Sequence, residues 1–407
     1  MFSENKKSLN YSLLIFSIFC ALYIAVFAYS TLIFIPIFFI IIVSKLKNFA
    51  NSLSILVVII FVTIVSSAKT LQGDLINFKR YFEYVSQSDL VTILSSTLPD
   101  LSIRSTEFLF KIYNYLFTSF GLDFMFYHLM SIAIIYAFVL MFSTEVTKNI
   151  NIKNNLNQKI NIQNSTFAIL WAFLVGVTFS LTSQVLKQYL AIAFFALAFK
   201  FFFKKSSLFL PAFFMLVAIF FHNSVAIFIP IIIFSYLFKK FIISSLLFKI
   251  ILLIISFFSS TIVISSIEIL GLSLLFEYGG IQDIEIGVTL FIDLFLLILV
   301  FFILPQNVDN EKVIFFKAII FIFFCSIILF RDVPILYLRL YFFMEIFRIF
   351  MGIYIYQSFS KNSRSLILIL FIFIGPIYWS LKLFASNWDY SWYTEFDKLI
   401  QVLLQVF

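Results

Sequence analysis

A small set of polar side chains in an otherwise apolar chain could carry chemistry: Asp74, Arg80, Glu107, Lys187, Gln188, His222, Arg331, Asp332 and Arg339. Lys187, His222 and Arg339 stand out, because each falls where an apolar run begins or ends and so can face a shared cavity. Ionisable groups at membrane depth are costly unless paired or solvated, which makes them functional candidates. An arginine can grip a pyrophosphate with two parallel hydrogen bonds, a lysine adds a point charge, and a histidine can take a proton from an attacking hydroxyl. Together they would suit an anionic substrate whose tail lies in the bilayer. Metal chemistry is poorly supplied: the only histidines are His128 and His222, without the His/Cys/Glu spacing of a zinc site, so neither a metal nor another cofactor is expected.

The elements that must position these groups are membrane helices. The chain has 407 residues, 63% of them hydrophobic and 12% charged, with a mean hydropathy of +1.09. Such values define an all-α, polytopic integral membrane protein. A net charge of +8 could suggest nucleic acid in a soluble protein. Here the lysines fall in short loops, where they set orientation, and no nucleic-acid partner is expected. Cys20 and Cys325 each sit in an apolar run and read as buried small hydrophobes.

The stretch Thr182 to Lys240 fixes the topology. The pairs Lys204-Lys205 and Lys239-Lys240 flank an apolar segment interrupted at His222-Asn223-Ser224. A single helix of that length would be roughly 50 Å, against roughly 30 Å of hydrocarbon, so the segment reads as a hairpin. Lysines at both ends belong inside and the break becomes the outward tip. Lys187 precedes Lys204 by the interval at which His222 follows Lys205, so both should lie at similar depth on neighbouring helices.

Alternation from this hairpin gives about 13 spans in one membrane domain, residues 1–407. Lys6 and Lys7 precede an uncleaved first span. A polar outer segment, 69–122, follows the third span, and Leu75, Phe78, Tyr81, Phe82 and Val85 recur in it at helical spacing, as in an amphipathic helix on the membrane surface. Residues 144–164 form a cytoplasmic loop rich in Asn and Lys. Later outer features are Glu268 to Glu285, the turn at Arg331-Asp332 and an aromatic tail at 388–393. Glu345 and Arg348, three apart within a span, would pair with each other on one face. Asp293 lies inside a span with no obvious local partner, and His128 reads as structural.

The residues that converge outside also resemble a known family. Gly73-Asp74 with Arg80-Tyr81-Phe82, then Glu107-Phe108, Lys187-Gln188-Tyr189-Leu190-Ala191, Phe221-His222-Asn223-Ser224-Val225-Ala226 and Arg339-Leu340-Tyr341-Phe342 follow the order and spacing of the EpsG-type membrane proteins over roughly residues 70 to 350. That group includes O-antigen and capsule polymerases of the Wzy type. Two departures mark this chain: Lys187 stands where the family usually has arginine, and Val225 separates Ser224 from Ala226.

The resemblance implies a bacterial inner-membrane glycosyltransferase that joins oligosaccharide repeat units carried on undecaprenyl pyrophosphate, on the periplasmic side and without a metal. It assigns catalytic roles to His222, Arg339, Asp74 and Glu107, and substrate binding to Arg80, Lys187, Gln188, Tyr341 and Arg331. Arg339, with Lys187 or Arg80, would stabilise the departing pyrophosphate, while His222, Asp74 or Glu107 would be the general base. A chain-length-regulating co-polymerase and a flippase are the implied protein partners. The competing classes are a lipid-linked oligosaccharide flippase, an ion-coupled transporter using Asp293, and a scaffold within an assembly complex. Carriers typically have inverted repeats and broken helices, and the sequence displays neither clearly.

Overall fold

The computed structural model describes residues 33–44, 46, 49–67, 74–96, 107–150, 162–182, 185–204, 207–259, 288–304 and 310–385. All regular structure among them is helical. The helices are α1 (Phe34–Val43), α2 (Ala50–Ser67), α3 (Asp74–Ser86), α4 (Leu90–Ser95), α5 (Phe108–Ser119), α6 (Phe124–Asn149), α7 (Ile162–Trp171), α8 (Phe179–Thr182) and α9 (Leu186–Phe203). They continue as α10 (Phe209–Phe221), α11 (Phe228–Ser244), α12 (Leu246–Phe258), α13 (Val288–Ile298), α14 (Glu311–Leu329), α15 (Pro334–Ser358) and α16 (Lys361–Ala385). Among the described residues, five helical segments have the length and apolarity to cross a membrane, and six shorter apolar ones accompany them. The expected first span, the outer stretch Glu268 to Glu285, Cys20 and the aromatic tail lie outside the described residues.

Local sequence sets the helix ends. Asp123 caps α6 by accepting from the Phe126 N–H at 2.7 Å, and Asp89 caps α4 in the same way at Thr92. Gly121, at φ +69°, closes α5: its N–H donates to Thr118 O and that of Leu122 to Phe117 O, which satisfies two carbonyls a helix end leaves open. The helix α6 runs on to Asn149, so the first residues of the stretch 144–164 are helical and Glu145 is buried beside Lys148.

The long helix α15 is the axis of the bundle. It packs on α6, α7, α9, α13, α14 and α16, and its middle, from Phe342 to Tyr354, is buried throughout. Helix α9 is sealed against α6 and α10. The hairpin expected between Lys204 and Lys240 does break at His222, but its arms part: α10 packs on α9, whereas α11 packs on α14. The outer faces of both arms expose Phe213, Leu216, Ile233 and Leu237, as lipid-facing surfaces should.

The amphipathic stripe read from the outer segment is present residue for residue: Leu75, Phe78, Tyr81, Phe82 and Val85 are the buried face of α3. Its partner differs from the expectation. The stripe meets protein, with Phe78 and Tyr81 against Phe110 of α5 and Phe82 against Tyr127 of α6 at 5.1 Å between ring centres. Rings from α5 and α6 offer more apolar contact than a headgroup region can. Lys111 locks the neighbouring α4 by donating to the Leu94 and Ser96 carbonyls. Burial lowers the pKa of its ammonium, and the Glu107 charge opposes that fall. His128 is buried in this region and stacks on Phe124.

Candidate functional site

Helix beginnings meet at one end of the bundle. Glu107 immediately precedes α5, Lys187 is the second residue of α9, and His222 leads into a 3-10 turn, Asn223–Ile227, that continues as α11. The early part of α15 joins them, because Gln188 Nε2 donates to the Arg339 carbonyl at 2.8 Å. Helix N-termini present unsatisfied N–H groups and the positive end of the helix dipole, so their convergence favours anions. One segment, α10, ends here with the opposite polarity.

Glu107 is the hub. Its side chain is 2% exposed, and one oxygen accepts from Lys187 Nζ at 2.8 Å while the other lies 3.9 Å from His222 Nε2. Lys187 sits in a helix first turn that contains no acidic residue, where a cation is disfavoured by the dipole, and Glu107 offsets that cost. The equal depth expected for Lys187 and His222 therefore holds, since both reach one carboxylate.

His222 is fixed by its own loop. The backbone N–H of Ser224 donates to Nδ1 at 3.3 Å and the Ser224 hydroxyl lies 2.7 Å from the same nitrogen. With Nδ1 accepting, the neutral ring carries its proton on Nε2, the nitrogen that faces Glu107. His222 is therefore arranged as a hydrogen-bond donor, and Glu107 is the acceptor beside it. Ser224, quoted within the His222 motif but given no role from sequence, is the residue that orients the imidazole; its two-residue offset from a histidine at a helix start was the available signal.

The other expected site residues divide. Asp74, first residue of α3, keeps an open face, yet the surrounding chain desolvates its carboxyl and raises its pKa, while the positive charge of Lys187 opposes the rise. That coupling places Asp74 on the rim of the cluster. Arg80 is exposed on the side of α3 away from the buried stripe. Arg331 pairs with Asp332 at 3.4 Å and lies over the Phe257 ring. Tyr341 turns inward, its hydroxyl donating to Asp293 at 3.1 Å.

Tyr341 thus belongs to a second polar group, deeper in the bundle. Arg348 grips Asp293 with two bonds of 2.6 and 2.8 Å, and its remaining nitrogen donates to the carbonyls of Val175 and Gly176. Those carbonyls end a π-helical turn, Ala172–Gly176, that terminates α7 inside the protein, so the arginine caps a broken helix. Glu345 accepts from the Thr178 N–H and the Tyr189 hydroxyl, both at 3.0 Å. The expected Glu345–Arg348 pair does not form, because each has a better partner across the bundle, and Asp293 does have one. Gly352 permits the fit: a Cβ there would collide with Trp171, whose indole donates to the Arg348 carbonyl.

Fold and site together define a multi-pass helical membrane protein with a cluster of charged side chains at one end of its bundle. A family model described as the EpsG family matches residues 52–394, and the chain belongs to that family. Membership supports a glycosyltransferase-like polymerase role in polysaccharide biosynthesis. No curated protein and no solved structure gave a significant match. Among the described residues no three His, Cys, Asp or Glu side chains gather as a metal-binding group.

Proposed function

We propose that the chain joins oligosaccharide repeat units carried on undecaprenyl pyrophosphate, at the periplasmic face of the bacterial inner membrane, with Glu107 as general base. In this reading an acceptor sugar hydroxyl sits between His222 and Glu107. It accepts a hydrogen bond from Nε2–H and gives its proton to Oε1 as its oxygen bonds to the anomeric carbon of the growing chain. The anomeric C–O bond to phosphate breaks in the same step, and undecaprenyl pyrophosphate leaves as an anion. Arg339 and Lys187 supply positive charge where that negative charge develops, in a site from which water is largely excluded. Glu107 holds the Lys187 ammonium, Gln188 ties the backbone of Arg339 to the same helix start, and Arg80 and Arg331 remain candidate contacts for the pyrophosphate on the rim.

The observation that carries the reading is the buried Glu107 carboxylate held between an ammonium and an imidazole N–H. Cationic side chains suffice to neutralise the leaving group, so the reaction needs no metal. The test is the polymer ladder from a deletion strain complemented with point variants at matched protein levels. Glu107→Gln should lower polymerisation by about 10²–10⁴-fold, the usual weight of a positioned base, and Arg339→Ala should lower it at least as far. Full-length polymer from either variant would refute the site.

One observation favours a second reading. A helix broken inside the bundle, with Asp293 and Arg348 beside the break, is a feature of ion-coupled carriers. Both Asp293 oxygens, however, are engaged by the Arg348 guanidinium and one also by the Tyr341 hydroxyl, a closed set of hydrogen bonds that suits a fixed strut better than a proton relay. The lipid content of the deletion strain separates the two. A lost polymerase leaves single repeat units at the outer face, and a lost carrier traps them inside.

A further inference from the structure

A cavity of about 520 Å³ opens on the other flank of α3, between that helix, the end of α2 and the start of α6. At about 100° per residue, Lys79, Phe82, Glu83 and Ser86 lie on the flank of α3 facing this cavity, while Asp74 and Tyr81 lie on the flank facing Lys187 and Glu107. One helix, roughly 10–12 Å across with its side chains, therefore separates the two.

The lining differs in kind from the first site. Glu83 and Asp123 bring two carboxylates against one ammonium, Lys79, which lies 3.8 Å from Glu83. The balance is negative and would repel a phosphate. Asp123 uses one oxygen to cap α6 and keeps lone pairs for another donor. Ser86 adds a hydroxyl, and half-buried Phe124 contributes ring surface, with Phe82, 5.8 Å away, itself buried. Carboxylates, a hydroxyl and an aromatic face in a cavity of ligand size match a molecule with hydroxyl edges and apolar ring faces.

We infer that this cavity is a saccharide-binding subsite that holds an uncharged segment of the oligosaccharide, while the pyrophosphate end lies at the Lys187 and Arg339 group across α3. The inference rests on the polymerase reading for the identity of the sugar. It assigns a division of labour by charge: anion on one flank of α3, hydroxyl-rich chain on the other. Held at both places, a chain would be threaded over the helix, and its grip would set how long it stays before release.

The test uses the purified full-length protein in detergent and, as probe, the strain's own repeat-unit oligosaccharide released from its lipid by mild acid, with binding followed by saturation-transfer NMR. The parent should bind it saturably. Ser86→Trp, at an exposed position, should weaken binding by 10-fold or more and shift the polymer ladder to shorter chains. Glu83→Lys, which adds no bulk but reverses the charge, should also weaken it. In a Glu107→Gln background, which should lose polymer, Ser86→Trp should still weaken oligosaccharide binding by 10-fold or more, which separates failure of this subsite from failure of the proposed chemistry. Absence of binding to the parent, equal binding by Ser86→Trp and Glu83→Lys, or displacement of the probe by vesicles of anionic phospholipid would each overturn the inference.

Discussion

Two polar groups in this protein use similar residues to opposite ends. Around Glu107, a carboxylate meets Lys187 closely and His222 at 3.9 Å, and Lys187 is 12% exposed. Around Arg348, a carboxylate is gripped at 2.6 Å with side-chain exposures of 1% and 0%. The first holds its imidazole beyond hydrogen-bond distance of the carboxylate, whereas the second closes its ion pair with two short hydrogen bonds. Along α15 the two are offset by nine residues from Arg339 to Arg348, or about 13 Å. One helix thus carries the cation proposed for the chemistry near its start and a buried, paired one at its middle.

The sharpest way to break the comparison is to remove the structural cation. Arg348→Met would leave the buried Asp293 without its cation, with the Tyr341 hydroxyl as its remaining donor among the described residues, and the end of α7 uncapped. A loss of about 3–5 kcal/mol is expected, enough to deplete the folded protein. The measurement is protein level in isolated membranes together with thermal melting in detergent. Asp293→Leu combined with Arg348→Met should recover much of that loss, because an apolar pair requires no desolvated charge. If Arg348→Met accumulates and melts like the parent while polymer is lost, the inner group belongs to the chemistry and the distinction collapses.

Lys187 should respond in the other sense. Lys187→Met removes one charge facing the leaving group and strips Glu107 of its cation, so polymerisation should fall by about 10²–10³-fold with a smaller loss of stability. Lys187→Arg should keep the contact with Glu107 and add a planar fork for phosphate, leaving activity near or above the parent. Ladder intensity per unit of folded protein reads both. Activity of Lys187→Arg as low as that of Lys187→Met would mean that the site selects the lysine's shape and not its charge.

These two groups also differed in how far they could be read from sequence. Glu107, in a polar outer segment among other charges, is singled out only by the motif order, whereas Lys187 and His222 declare themselves because charge interrupts apolar runs at countable distances from lysine pairs. The stripe on α3 was legible for the same reason, since helical periodicity names its five buried residues. What covers that stripe was not legible, because periodicity says that a face is buried and nothing of the partner. The pairing of Arg348 with Asp293 was hidden more deeply: 55 positions separate them, and a local i, i+3 partner, Glu345, offered a plausible alternative. The break at Gly176 had no breaker signal such as proline, because Arg348 and Glu345, which support it, come from a helix much later in the chain.

The finest test of the comparison lies on its rim, at Asp74. Burial raises the pKa of this carboxyl and the Lys187 charge lowers it, with burial the larger effect. A carboxyl whose pKa is higher in the folded state holds its proton more tightly there than in the unfolded chain. Its contribution to stability is therefore full below the ordinary carboxylate value and is lost as pH rises through the raised one. Asp74→Asn should cancel that dependence: parent and variant should melt alike near pH 4, and the variant should gain by a degree or so as pH rises toward 7. Lys187→Met should enlarge the difference, because the charge that keeps Asp74 ionised is gone, whereas substitution of Tyr189 by Phe in the sealed group should leave it unchanged. A pH dependence of melting that is the same in Asp74→Asn as in the parent would show that Asp74 is not coupled to the cluster, and would confine the reactive group to Glu107, Lys187 and His222.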